Sequence, residues 1–314
     1  GIEHNGQIIK GRDQIGILAL KGKVLNSRNA SVKQISNNTE INNIIQILNL
    51  KQGKDYTKQE NFKDLSYQKL VLLTDSDVDG IHISGLIINF LHHMFPSLLK
   101  RSDFLLGMLT PIINVTVKNK IHRFYTISDS EKFTKNLKGK YKTKYLKGLG
   151  SSTDNDIKET FGKRMVTYIH DKDTSKSINL VFNNKQSDQR KEWISKYIPN
   201  ENTEIKEKMT ISNFLDEEMI KFSIDDCERS IPNVFDGLKQ SQRKILYASM
   251  MKSENLRVSQ LSGFVSERTN YHHGEDCLNQ TIIKMAQTYP TSNNIPLLLP
   301  EGQFGSRSFL GKDA

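Results

Sequence analysis

Residues 69–80 read Lys69-Leu70-Val71-Leu72-Leu73-Thr74-Asp75-Ser76-Asp77-Val78-Asp79-Gly80. The apolar run at the start of this stretch is typical of a short strand that is buried on both faces of a sheet. After Gly80, apolar residues recur at helical spacing from residue 83 to residue 98, and the pattern stops near residues 96–100. The order strand, acidic loop, helix predicts an α/β fold around this point.

The acidic loop places three carboxylates, Asp75, Asp77 and Asp79, at alternate positions beyond a strand end, where ligands gather in α/β sheets. An EF-hand calcium loop begins with the same alternation, but it follows a helix and requires a bidentate Glu at its twelfth position, which here is Leu86. Three neighbouring carboxylates repel one another at neutral pH unless a cation or a basic side chain offsets them. The loop therefore predicts a magnesium site, and a solvated acidic turn is the alternative.

Patterns on either side of this stretch divide the chain. Further strands are expected at residues 112–117, 123–126 and 144–146. With the crossover helix, they predict an α/β first half with a Rossmann-like parallel sheet. Residues 154–215 are polar and helix-rich and contain the only tryptophan, Trp193. Strand signals are rare after residue 216, and helical patterns cover residues 213–222, 241–251, 258–268 and 274–289.

We therefore expect a metal-binding α/β domain at residues 1–155, a connecting segment at 156–215 and a mainly α domain at 216–314. A length of 314 residues with 36% hydrophobic content is sufficient for two domains that each bury a core. The first and last residues look like interior sequence. We accordingly expect a piece of a longer protein.

Charge favours an acidic partner, because 45 Lys and Arg residues face 35 Asp and Glu residues and leave a net charge of +10. Residues 100–150 hold twelve basic residues against Asp103, Asp129 and Glu131. This region could meet phosphates, and a solvated lysine-rich surface is the alternative.

The sequence argues against a membrane-spanning or secreted protein. No apolar run approaches the roughly 18 residues that a membrane helix needs. Cys227 and Cys277 cannot form a disulfide framework, and the start of the sequence lacks the features of a signal peptide. These features predict an intracellular protein.

Two further motifs lie in the mainly α half. Residues 236–244, Asp236-Gly237-Leu238-Lys239-Gln240-Ser241-Gln242-Arg243-Lys244, form a glycine turn before a basic helix start, which can bind phosphate or be an ordinary surface helix. Tyr271-His272-His273-Gly274-Glu275 precedes the last helix. Zinc is disfavoured because the motif does not supply a full set of four ligands, so a neutral donor at a helix N-terminus is favoured. The two helices around this motif predict a helix-turn-helix.

Six motifs together resemble the cleavage core of the type IIA DNA topoisomerases, in the branch of eukaryotes and large DNA viruses. They occur in the order of that family across nearly the whole chain, and the run Arg190-Lys191-Glu192-Trp193 favours this branch over bacterial gyrase. The motifs are residues 20–26, 74–80, 147–153, 228–233, 271–275 and 302–307.

The resemblance implies a TOPRIM domain followed by most of a winged-helix domain. It implies double-strand cleavage by a tyrosine, strand passage and religation in a homodimer that uses magnesium and ATP, with ATP bound outside these residues. The implied metal ligands are Asp75 and Asp77, with Asp79 alongside. Arg229 and His273 are implied to lie near the scissile phosphate. The implied contacts to double-stranded DNA are Lys21, Lys23, Asn26, Lys147, Gly148, Lys239, Arg243 and Lys244.

Some features of the family are missing or altered in this sequence. The catalytic tyrosine is expected a few residues beyond Ala314, and the Glu-Gly-Asp-Ser-Ala motif that completes the metal site is expected before residue 11. Lys21-Gly22-Lys23 replaces the usual Arg-Gly-Lys, and Phe309-Leu310 stands where His-Gly is common. We therefore expect these 314 residues alone to bind DNA without cutting it.

Two other functions remain open at this point. One is a different TOPRIM enzyme, such as a primase or nuclease, although those families lack the motifs found after residue 228. The other is a DNA-binding scaffold that does not cleave. A cellular protein of this family is expected in the nucleus, and a viral one in a cytoplasmic replication factory of the host.

Overall fold

The computed structural model describes residues 2–4, 7–9, 14–137, 139–146, 153–199, 206–271, 273–290, 292–293 and 295–314. The chain divides into two compact units, Gly1–Ser223 and Ile224–Ala314, called unit 1 and unit 2 below. Within the described residues, no helix is both long enough and apolar enough to cross a bilayer. Cys227 and Cys277 are free thiols on the surface.

Unit 1 alternates strands and helices. Its strands are β1 (Ile2–His4), β2 (Gln7–Ile9), β3 (Leu70–Leu73), β4 (Leu105–Met108), β5 (Ile113–Val117), β6 (Lys120–Phe124), β7 (Tyr141–Tyr145), β8 (Met165–Ile169) and β9 (Lys208–Thr210). Its helices are α1 (Val32–Ser36), α2 (Thr39–Leu48), α3 (Gln59–Lys63), α4 (Val78–Met94), α5 (Pro96–Leu99), α6 (Ile127–Lys135), α7 (Asp154–Thr160), α8 (Thr174–Phe182), α9 (Ser187–Ser195) and α10 (Ile211–Asn213). A π-helical segment, Phe214–Met219, continues α10.

The main sheet of unit 1 has the strand order β3-β4-β8-β9. β3 and β4 are parallel, with Leu70 opposite Leu105, and β8 and β9 are parallel as well. β4 and β8 are antiparallel, so the sheet is mixed. The antiparallel strands β1 and β2 form a separate hairpin.

Helix α4 is the central packing element of unit 1. It follows β3, and Ile88, Phe90 and Leu91 are fully buried along its length. Gly85 allows a close approach of the π-helical segment, because a Cβ at this position would lie 3.1 Å from Met219 Sδ. α4 ends one residue before Phe95, and Pro96 then begins α5 because proline is tolerated in a first helical turn.

A second sheet in unit 1 is antiparallel, with the order β6-β5-β7. Lys118 and Asn119 have positive φ and close the tight β5–β6 hairpin. Helix α6 covers one face, where the Phe133 ring lies 4.6 Å from His122 and 5.1 Å from Phe124. The edge strand β7 is exposed along its whole length.

A polar network joins the start of unit 1 to α4 and α8. Arg28 lies 3.1 Å from Asn89 Oδ1 through Nε and 2.9 Å from His92 Nδ1 through Nη2. His92 Nε2 lies 3.0 Å from Ser175 Oγ. Since a guanidinium can only donate, Nδ1 accepts and the Nε2 proton points to Ser175, so His92 is held in its neutral form.

Unit 2 is a small helical core. Its helices are α11 (Ile220–Ser230), which crosses the boundary from unit 1, α12 (Gln240–Ser249), α13 (Val258–Thr269) and α14 (Glu275–Ala286). Ile245, Val265 and Leu278 are fully buried where α12, α13 and α14 meet. Asn270, at φ 48°, ends α13 before the turn into α14.

The fold class predicted from the sequence is confirmed, because a unit of alternating strands and helices precedes a helical unit. The sheet is mixed rather than wholly parallel. The sequence analysis missed β4, and the polar stretch expected to be a connection contributes β8 and β9 to the main sheet. The strand expected at residues 123–126 lies earlier, at β6. The boundary between the units falls inside the predicted 216–314 range, and the predicted domain limits stay predictions.

Candidate functional site

The acidic loop between β3 and α4 is fixed by its backbone. Asp77 is the N-cap of α4, and its Oδ1 accepts the Gly80 N–H at 2.8 Å. A Cβ at Gly80 would lie only 2.0 Å from the carbonyl oxygen of Asp75. The glycine at the end of the motif is therefore required by the close approach of the loop to the first turn of α4.

A lysine from a distant segment reaches this loop. Lys23 Nζ lies 2.7 Å from Asp79 Oδ1 and 4.7 Å from the centre of the Phe222 ring. Phe222 in turn stacks on His82 of α4 at 3.8 Å. Lys23 is thus the basic neighbour that offsets one of the three carboxylates.

The three aspartates do not converge on one point. Among the described residues, no group of three or more His, Cys, Asp and Glu side chains is arranged to hold a metal ion. Asp77 accepts a backbone N–H and Asp79 pairs with Lys23, as described above. Magnesium typically keeps several waters and takes only one or two protein carboxylates. The chemistry of the carboxylates of Asp75 and Asp77 fits magnesium, and metal roles for Asp75, Asp77 and Asp79 all stay predictions.

The loop borders a recess, and Asp77 is also exposed to solvent. The loop lines a cleft of about 750 Å³ together with apolar side chains of α2 and β3, among them Ile44, Leu48, Leu70 and Leu72. Low-dielectric walls of this kind strengthen the interaction between a carboxylate and a cation.

The other predicted DNA contacts of unit 1 differ in their surroundings. Lys21 is exposed. Asn26 is half-buried, donates to the Phe182 carbonyl at 2.9 Å and accepts from Asn89 Nδ2 at 3.0 Å, so both ends of its amide are used inside the unit. Lys147 and Gly148 lie outside the described residues.

Residues 236–244 of unit 2, called the basic turn below, are held together by an ion pair. Arg243 donates from Nε to Asp236 Oδ2 at 2.8 Å and from Nη2 to Oδ1 at 2.9 Å. Asp236 also accepts the Leu238 N–H. The hydrogen bonds from Arg243, followed by that from Leu238, lower the pKa of Asp236 to about 2. Lys239 is exposed and Lys244 half-buried, so the first turn of α12 combines two lysines with an arginine that shapes the turn.

Arg229 and His273 both belong to unit 2. Arg229 is the residue before the last of α11, its side chain is 18% exposed, and its Nε lies 3.5 Å from carboxylate oxygens of Asp225 and Asp226. His273 stands in the turn before α14, with its ring edge-on to Tyr271 at 5.5 Å. Burial raises the pKa of Tyr271, so its phenol stays neutral. His272 lies outside the described residues.

Three family models match the chain one after another. The Toprim domain matches residues 5–104, the C-terminal associated domain of TOPRIM matches 108–227, and the DNA gyrase/topoisomerase IV model matches 229–314. DNA topoisomerase 2 of Invertebrate iridescent virus 6 is 42% identical over 326 residues. The chain belongs to the type II DNA topoisomerases.

Further relatives place the chain within this family. DNA topoisomerase 2-alpha of Homo sapiens is 42% identical over 332 residues, which cover 99% of this chain. A crystal structure of the Plasmodium falciparum topoisomerase II DNA-binding, cleavage and re-ligation domain matches 97% of the chain with a TM-score of 0.79 and 41% identity, and the match covers 42% of that chain. The viral match covers 97% of this chain. The resemblance to eukaryotic and viral type II topoisomerases is confirmed.

The chain spans only part of these relatives. It covers 29% of the length of the viral topoisomerase and 22% of the human one. The match to the gyrase and topoisomerase IV family over residues 229–314 disfavours a primase or nuclease.

The sequence analysis missed two interactions that shape these surfaces. Asp236 and Arg243 stand at the two ends of one short motif, and their opposite charges were a local signal for the ion pair. Lys23 and Asp79 are 56 residues apart in the sequence, and no local pattern indicates their contact. Phe222, which lies under Lys23, carries no motif at all.

Proposed function

We propose that the chain is the part of a type II topoisomerase that binds duplex DNA and carries out phosphodiester cleavage and religation. The observation that supports this most directly is the acidic loop, in which Asp75 and Asp77 stand at the N-terminus of α4 within the Toprim match. Strand passage by a homodimer and ATP hydrolysis would belong to the whole protein. A location in the nucleus or in a viral factory goes with the same proposal.

Attack on a phosphodiester develops negative charge on the phosphate oxygens, and cleavage requires cationic groups that stabilise this charge. Asp75 and Asp77 would hold magnesium, which when bound supplies a Lewis acid for a phosphate oxygen. Arg229, His273 and Lys147 would hold nonbridging oxygens through hydrogen bonds and charge, without changing protonation. The attacking tyrosine is the one that the family resemblance expects beyond Ala314.

Binding to DNA would depend mainly on phosphates and show weak sequence preference. Lys239, Arg243 and Lys244 would supply contacts from the start of α12, and Lys21, Lys23, Lys147 and Gly148 would supply them from unit 1. Asn26 would contribute less, because its amide already donates to Phe182 and accepts from Asn89. Each phosphate that is neutralised steepens the salt dependence of affinity by about 0.9 logarithmic units. A scaffold that binds DNA without cutting it is the second candidate, and the adduct experiment below distinguishes the two.

Two substitutions at Asp77 test the metal assignment in the full-length protein. Asp77→Asn keeps an N-cap acceptor for the Gly80 N–H and removes the charge, whereas Asp77→Ala removes both. We expect both variants to lose magnesium-dependent cleavage and to keep DNA binding, with only Asp77→Ala losing about 1 kcal/mol of stability. Asp103→Asn, an acidic residue outside the loop, is the control. Undiminished cleavage in Asp77→Asn would exclude a metal role for this carboxylate.

A second experiment separates cleavage from binding in residues 1–314. The defined chain is incubated with supercoiled DNA and magnesium, quenched with detergent, and examined for DNA attached covalently to protein. We expect DNA binding without an adduct. An adduct would show that a residue within the chain is the nucleophile.

A further inference from the structure

The edge strand β7 carries its lysines on one face. Side chains alternate along a strand, so Lys142 and Lys144 point to one side of the second sheet, and Tyr141 and Tyr145 point to the other. Lys140 immediately precedes the strand. All five residues are exposed. The three ammonium groups span about 14 Å, which is the axial length of about four phosphates on one DNA strand.

The β5 residues opposite Lys142 and Lys144 are neutral. In the register of β5 and β7, Lys144 is opposite Asn114 and Lys142 is opposite Thr116. Lys118 follows Val117, which pairs with Tyr141, so a fourth exposed lysine lies at the same end of the sheet as Lys140. Like charges at this spacing repel one another, and no acidic residue of the ladder offsets them.

The other edge of the same face is compensated. Asn114 pairs with Arg123 on β6, which places Arg123 on the face of the lysines. Arg123 Nη2 lies 2.8 Å from Asp156, its Nη1 contacts Glu159, and both acidic residues belong to α7. Within the described part of the sheet, the acidic groups of this face thus serve Arg123, and the lysines of β7 form its basic edge.

From this arrangement we infer that the lysine face of β7, defined by Lys140, Lys142 and Lys144, binds the phosphate backbone of duplex DNA. The inference rests on the proposed function and adds to it a DNA contact carried by the second sheet of unit 1, an element other than the acidic loop and α12. The partner is a polyanion because the face has positive charge without compensation, and duplex DNA because the chain belongs to a family that acts on it.

A protective role is the competing explanation. Lysines on an exposed edge strand discourage pairing with another chain, and any charge serves that purpose. Replacement by glutamate keeps charge on the edge and reverses its sign. The sign of the charge therefore distinguishes binding to DNA from protection against aggregation.

The test compares two triple variants, K140Q/K142Q/K144Q and K140E/K142E/K144E, with the unchanged chain. Binding to a defined linear duplex is followed by fluorescence anisotropy over a series of salt concentrations. The control variant K33Q/K51Q/K185Q removes the same charge from exposed lysines on other elements of unit 1. Size-exclusion chromatography checks that each variant is monodisperse.

We expect the glutamine variant to reduce the slope of log affinity against log salt by about 2.7, from three contacts at about 0.9 each. The glutamate variant should bind more weakly still and remain monodisperse, and the control should keep the original slope. A glutamate variant that binds as tightly as the unchanged chain overturns the inference in favour of edge protection. If the control variant loses as much of the salt slope as the glutamine variant, the inference is overturned, because the net charge of the chain rather than this face then determines binding. If the unchanged chain does not bind DNA at all, the proposed function itself fails.

Discussion

The acidic loop of unit 1 and the basic turn of unit 2 both position charged side chains at a helix start, but different interactions hold their backbones in place. Each carries a glycine close to the start of a helix and presents charged side chains there. In the loop, a Cβ at Gly80 would lie 2.0 Å from the Asp75 carbonyl oxygen. In the turn, Gly237 has φ +67°, yet nothing lies within 4 Å of the position that its Cβ would take.

The difference reflects what holds each backbone in place. The loop is attached to α4, in which nine of the 17 residues are buried, so its conformation is set by packing. The turn is exposed and is set by hydrogen bonds between Asp236, Arg243 and Leu238. A substitution that restricts the glycine backbone should therefore destabilise the fold more in the loop than in the turn.

The largest effect is expected from Gly80→Ala. The added methyl group collides with backbone that cannot move without disturbing α4, so we expect a loss of roughly 3–5 kcal/mol in the free energy of unfolding. Gly237→Ala is the matched change in unit 2 and should lose only about 1–2 kcal/mol, because its positive φ is unfavourable while the surrounding space is open.

Urea unfolding measures both changes. Fluorescence of Trp193, the only tryptophan, reports unit 1, where it packs against the core and donates to Asp216 at 2.9 Å. Far-UV circular dichroism reports helix loss in both units. If Gly80→Ala and Gly237→Ala lose the same free energy of unfolding, packing does not hold the loop more tightly than hydrogen bonds hold the turn.

An intermediate effect is expected on DNA binding from the basic turn. Lys239→Ala and Arg243→Ala together should reduce the salt slope by about 2, with little change in the unfolding of unit 1. Because Arg243 also closes the turn on Asp236, the single variants should differ. Lys239→Ala should change only the slope, and Arg243→Ala should also change the helical signal of unit 2.

The variant Asp236→Asn sharpens this prediction. It weakens the ion pair and leaves Arg243 in place, so affinity for DNA should rise if Arg243 contacts phosphate. A fall in affinity would mean that the turn conformation, rather than the charge of Arg243, determines binding.

The smallest effect is a pH dependence confined to unit 1. Burial, and after it the charges of Arg28, His170 and His93, lower the pKa of His92 from 6.5 to about 4. The unfolded chain binds a proton at this position below about pH 6.5, whereas the folded chain stays neutral until about pH 4. Stability from this group is therefore complete above pH 6.5 and decreases as the pH falls toward 4.

Replacement of this histidine tests the assignment. His92→Gln keeps an acceptor for Arg28 and does not titrate, so the unfolding midpoint of unit 1 should fall less between pH 6.5 and pH 5 than in the unchanged chain. His122→Gln, on the second sheet, is the control. An unchanged pH profile in His92→Gln would assign the dependence to other groups, such as His93 and His170, whose pKa values burial also lowers.

Local patterns predicted the elements of the fold that carry strong periodicity. The run before Asp75 is a strand, and the helices of unit 2 lie close to their expected positions, at α12, α13 and α14. The strand β9 is only three residues long, and its sequence Lys208-Met209-Thr210 has little apolar character. It forms because β8 offers a partner, which a local pattern cannot show.

The candidate sites were predictable to a similar extent. The positions of Asp75, Asp77 and Gly80 follow from one short motif. The contact of Lys23 with Asp79 and the use of the Asn26 amide inside unit 1 depend on tertiary structure. Sequence alone therefore predicted which residue types gather near the loop but not which of them pair with one another.

The stack of Lys23, Asp79, His82 and Phe222 has a consequence for synthesis of the chain. Phe222 leaves the ribosome about 140 residues after Asp79, which corresponds to roughly 7–30 s at ordinary rates of translation. During this interval the acidic loop exists without the Phe222 ring that Lys23 contacts. The contacts of Phe222 with Lys23 and His82 form only when nearly all of unit 1 has emerged. A pause in translation or a truncation before Phe222 would therefore leave the acidic loop without these contacts.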